Sequence, residues 1–141
     1  MPSLIFIAAC EKVVADDSGA PSLISVFAAL DIQMPQTGSI PPRAVSDKPW
    51  NIFSYWRIED MEIGKEFELH TQVLTPDGTE FGKSTDIMKF SARTHNIKTN
   101  VPGMPVGQEG DVTIFISASD KGGRNESEKF PYRVNIRHVK P

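Results

Sequence analysis

The chain has 141 residues, 39% of them hydrophobic and 23% charged, with a formal net charge of −3. That length predicts one domain, 1–141, able to bury a core without staples. Its 15 basic residues are scattered, with Arg133 and Arg137 the nearest thing to a cluster, which argues against nucleic acid as a partner. Cys10 is the one cysteine, so an intrachain disulfide and a cysteine-based zinc site are both excluded, and a reducing, cytoplasmic setting is expected.

Residues 4 to about 13 are apolar on both parities up to Cys10, as a strand covered on both faces is. The run LIFIAAC also looks like a short export signal or lipobox. No Lys or Arg precedes it, however, and seven apolar residues are few for a signal core, so a buried first strand is expected. No segment approaches the ~18 apolar residues of a membrane span, and no membrane partner is expected. Residues 15–21 carry turn chemistry. A second strand follows over 22–33, with Ile24, Val26, Ala28, Leu30 and Ile32 expected toward the core.

Residues 35–49 hold four prolines and Gly38, the composition of a long irregular loop or an edge excursion. The third strand, 51–59, has Trp50, Ile52, Trp56 and Ile58 on one parity. In the fourth, Phe67, Leu69 and Val73 alternate with outward Glu66, Glu68, His70 and Gln72. Pro76-Asp77-Gly78 suits a tight turn, because Pro presets φ and Gly accepts φ > 0. A short pairing at Glu80 and Phe81, a strand over 87–99 and two last strands over 112–119 and 132–139 complete the chain. Seven or eight strands at this spacing predict an all-β fold, a single antiparallel β-sandwich of immunoglobulin-like kind.

The segments EIGKEFELHTQVLTPDGTE and THNIKTNVPGMPVGQEGDVTIFISASD, with the early Ala9-Cys10-Glu11, resemble a bacterial family of small Ig-like β-sandwich proteins of unknown function. The resemblance implies a sandwich fold and a bacterial or phage-like origin. It assigns no catalytic residues.

Chemistry-bearing patterns are sparse. His70, His95 and His138 fall on three strands without metal-ligand spacing, His70 and His95 outward by parity. Asp16, Asp17, Asp77, Asp120, Glu126 and Glu128 sit in or beside loops, yet no D-x-D pair gathers oxygens for calcium. No G-x-S-x-G or phosphate-cradling glycine loop is present, and Cys10 lies in the most apolar strand. The expectation is a protein that is not an enzyme and uses no cofactor.

What remains is surface. If the even positions of the second and third strands face the core, Phe27, Phe53 and Tyr55 point outward with Arg57 beside them, and Phe115 points outward between Thr113 and Ser117. Contiguous outward aromatics either mark contact with something or are packed internally, by a parity slip at a bulge or under the first strand or the Pro-rich loop. Pro41, Pro42 and Arg43 form a stiff second candidate, presentable at low entropic cost. The loop with Val101, Met104 and Val106 is expected to plug the end of the sandwich. These features point to a binding or assembly module for a protein partner or for copies of itself, by way of the aromatic face or strand addition at an open edge. The alternative is a carbohydrate- or calcium-binding module.

Overall fold

The computed structural model describes residues 1–15, 17–36 and 38–140. Among them the fold is all-β: β1 (Ser3–Ala15), β2 (Pro21–Phe27), β3 (Ala29–Gln33), β4 (Val45–Ser46), β5 (Trp50–Arg57), β6 (Glu66–Leu74), β7 (Glu80–Lys89), β8 (Thr94–Val101), β9 (Met104–Pro105), β10 (Gly110–Asp120) and β11 (Phe130–Val139), with one 3₁₀ turn at Asp60–Glu62. One sheet has the order β2-β1-β5-β8 and the other β3-β11-β10-β6-β7, while β4 and β9 pair as a short ladder. Every pairing is antiparallel except β3 with β11. No helix among the described residues is long and apolar enough to cross a membrane.

The two sheets enclose one core. Trp50, Ile52 and Trp56 enter it from β5, Phe67, Leu69 and Val73 from β6, Val112, Ile114 and Ile116 from β10, and Val134 and Ile136 from β11. Burying side chains of this size stabilises by about 1.5–3 kcal/mol each. The two indole N–H groups are satisfied inside, Trp56 Nε1 donating to Ser54 Oγ at 2.9 Å and Trp50 Nε1 to the Gly103 carbonyl at 2.9 Å. Met104 and Val106 are buried at the end of this core, where the loop was expected to act as a plug.

Eleven strands stand where seven or eight were expected, because two apparent strands each divide between sheets and β4 and β9 add a short ladder of their own. The 22–33 segment is β2 at the edge of the four-stranded sheet and then β3 at the edge of the five-stranded one. Ala28 takes up the crossing, and its extra residue reverses the inward parity. Phe27 packs inward before the crossing, and Leu30 and Ile32 after it. Ile24 and Val26, expected in the core, are therefore 44% and 54% exposed. The 87–99 segment divides likewise. β7 ends at Lys89, Phe90 is fully buried at the crossing, and β8 starts at Thr94 in the other sheet. This crossing turns His95 inward, edge-on to Phe90 with ring centroids 5.2 Å apart, rather than outward.

β1 departs from its expected double coverage as well. A bulge between Leu4 and Phe6 leaves Ile5 and Phe6 exposed, and full burial is confined to Ala8, Ala9 and Cys10.

Candidate functional site

The outer face of the four-stranded sheet holds part of the predicted aromatic site. On β5, Trp50, Ile52, Ser54 and Trp56 are buried on the core side, so Phe53, Tyr55 and Arg57 share the other parity. Register places Ala8 beside Phe53, Phe6 beside Tyr55 and Cys10 beside Asn51 on that face. Phe6 meets Phe53 with ring centroids 6.1 Å apart. Arg57 is exposed and Tyr55 half-buried.

Phe53 is only 4% exposed although it faces away from the core, and Ala8 and Cys10 are sealed in the same way. All three lie outside the central core cluster. The cover comes from the chain itself. Beyond Cys10 and Val26, β1 and β2 continue as a two-stranded arm with Val14 opposite Ser22. Along a straight strand, the path from Phe6 to Val14 is roughly 26 Å. Yet Ser18, Gly19, Ala20 and Pro21 at the tip line one hollow, of about 540 Å³, with Tyr55, His95 and Asn96. The arm therefore bends back across the outer face of its own sheet.

The bend has a local signature. The ladder pairs Cys10 with Val26 and Lys12 with Ile24, but Glu11 and Ser25 between them do not pair. Ser25 has φ 56°, the one positive value on a non-glycine residue among those described. Glu11 is tied to the sheet instead, its carbonyl accepting from Asn51 Nδ2 at 2.8 Å and its carboxylate from the Lys48 ammonium. Burial pushes the Cys10 thiol up from its ordinary pKa.

The other two predicted aromatics belong elsewhere. Phe27 faces the core, edge-on to Trp50 with centroids 6.0 Å apart, because the parity reversal at Ala28 turns it inward. Phe115 is outward and half-buried, but β10 belongs to the five-stranded sheet, so it occupies the opposite side of the molecule. The structure adds residues that the sequence reading placed inside: Phe6 at 46% exposure, and Ile24 and Val26.

Pro41, Pro42 and Arg43 are exposed, but the loop is anchored rather than freely presented. The Ala44 N–H donates to the Pro41 carbonyl at 2.9 Å, and the Val106 N–H to the Ala44 carbonyl at 2.9 Å. Pro42 and Arg43 line a cleft of about 400 Å³ with Phe81, Pro105, Asp77 and Glu80. On its far wall Asp77 accepts from the Thr75 hydroxyl at 2.5 Å, the Thr79 N–H at 3.0 Å and Gln108 Nε2 at 3.2 Å. The Thr75 and Thr79 bonds hold its carboxyl well below the usual range.

A polar network crosses the outer face of the five-stranded sheet. His70 Nε2 lies 2.7 Å from Ser119 Oγ and its Nδ1 3.2 Å from Thr85 Oγ1, while Ser117 Oγ donates to Glu126 at 3.0 Å. A Ser–His contact is the core of a nucleophilic site, but catalysis needs an open hydroxyl and a carboxylate behind the imidazole. Here Ser119 is 2% exposed and a threonine stands behind His70. The network stitches β6, β7 and β10 together. His138 Nε2 lies 2.7 Å from the Val106 carbonyl, far along the chain from the other two histidines. No group of three metal-ligating side chains gathers among the described residues, and Asp16 lies outside them. No protein-family model and no curated protein matches the chain.

Proposed function

We propose that this chain is a non-enzymatic assembly module, a β-sandwich of immunoglobulin-like arrangement that associates with its own kind through the outer face of the four-stranded sheet. The observation that carries the reading is a second apolar cluster outside the core. Phe53, Ala8 and Cys10 are buried on the outer face that the β1–β2 arm crosses, and Phe6, Ile24 and Val26 remain open on β1 and β2. Exposed apolar side chains on two paired strands are the kind of surface that protein contacts cover. Tyr55 and Arg57 beside it are residue types that anchor such contacts.

Light scattering over a concentration series tests this reading with Phe6→Ser and Val26→Ser combined. Both side chains are about half exposed, so the fold should persist with an unchanged denaturation slope while self-association falls. A wild-type chain that stays monomeric at every concentration refutes it.

A further inference from the structure

We propose that the β1–β2 arm is an exchange element: it swings out about Glu11 and Ser25, and a second copy of this chain lays the same arm over the same floor. This rests on the self-association reading above and identifies the partner as an identical chain. The floor supports that choice. Phe53, Ala8 and Cys10 are buried on the face that this arm crosses, and its tip shares a hollow with Tyr55, His95 and Asn96, so an identical arm from another copy fits the same floor. Exchange preserves in trans each contact made in cis, which confines its cost to the hinge and to association itself.

The hinge is built for two states. Ser25 holds a left-handed conformation in which its Cβ crowds the following carbonyl, and straightening the arm relieves that crowding. The ladder has the same register on both sides of the gap, Cys10 with Val26 and Lys12 with Ile24. A straight arm therefore regains the missing Glu11–Ser25 pairing without slipping a residue. Ile24 and Val26 lie at this hinge, where two exchanged arms cross and cover them.

The decisive experiment joins arm tip to floor. In a Cys10→Ala background, Ala20→Cys with Asn96→Cys places the only two thiols on exposed residues that face one hollow, and a short bismaleimide links them. Exchange predicts a dimer by light scattering that remains dimer-sized on a denaturing gel after reaction. A dimer whose links all fall within single chains overturns exchange but leaves self-association standing. A monomer at every concentration overturns both. Independently, Ser25→Val disfavours the bent hinge and should raise the association constant at least about tenfold, whereas Ser25→Gly, which accepts positive φ, should lower it several-fold. Equal association by wild type and both variants overturns the hinge.

Discussion

Phe53 gives the sharpest thermodynamic test of the covered outer face. On an open sheet face a phenylalanine contributes little when truncated; at 4% exposure it contributes as a core residue does. A buried phenylalanine removes on the order of 150–200 Å² from water, which at about 25 cal/mol per Å² is about 4 kcal/mol. Alanine keeps part of that, and the gap left behind costs more, so core Phe→Ala changes cost about 3–5 kcal/mol. Phe53→Ala should fall at the low end, about 3 kcal/mol, because the cover is a two-stranded arm free to settle into the gap. Phe6, its ring neighbour at 46% exposure, supplies the control, and Phe6→Ala should cost no more than about 1.5 kcal/mol. Urea denaturation at 25 °C measures both, provided the slope with denaturant is unchanged. A Phe53→Ala cost below about 1 kcal/mol, or one no larger than that of Phe6→Ala, would refute the sealed cluster.

Three further outcomes are expected. A Cβ at Gly107 would stand 2.2 Å from the Pro41 carbonyl oxygen and 2.4 Å from that of Pro42, so Gly107→Ala must displace backbone and should cost about 1–3 kcal/mol by thermal or urea unfolding; a neutral result would show that the proline loop is not anchored there. The Asp77 carboxyl is depressed in the folded state, so its stabilisation is present above the unfolded value near 4 and is lost as pH falls through the folded one. Asp77→Asn should therefore flatten the decline of stability below about pH 4, and an unchanged acid limb counts against those hydrogen bonds. Phe115→Ser, on the opposite side of the molecule, should leave self-association within twofold of wild type by light scattering; a loss there would move the interface to the five-stranded sheet.

How much of this was legible depended on whether a strand stayed in one sheet. β6 and β10 keep one parity throughout, and their inward residues, Phe67, Leu69, Val73, Val112, Ile114 and Ile116, could be read from alternation alone. β5 was readable too, which is why Phe53, Tyr55 and Arg57 were placed on the correct side. Alternation carries no mark where a chain crosses between sheets. At Ala28 the pattern of small and β-branched residues continues unbroken while the inward direction reverses, so Phe27, Ile24 and Val26 were all assigned to the wrong side. Phe115 was oriented correctly but grouped wrongly, since parity gives a face of a strand and not the sheet that holds it. The arm was invisible for another reason. Its bend rests on Ser25, a residue type that gives no hint of positive φ.

The edges of the two sheets bear on which mode of association is open. Strand addition needs a flat edge with free backbone groups, and each edge here departs from that. On β7, Asp86 pairs with Leu69 and so shares the core-facing parity, an inward charge that a docking strand would bury, and Lys83 and Lys89 stand on the other. β2 is kinked by Ser25, and β3 has only five residues. β8 is the most regular edge, but Thr94, His95 and Asn96 share their hollow with the arm tip. Inward charge, a kink and short length are the devices by which sheet proteins keep edges from pairing with other chains. Of the exposed large apolar side chains, Ile5, Phe6, Val14, Ile24 and Val26 belong to the two strands that form the arm and its root, while Met61 and Ile87 are more exposed and lie elsewhere. The proposed association through the arm and its floor would cover Phe6, Ile24 and Val26 without opening either sheet.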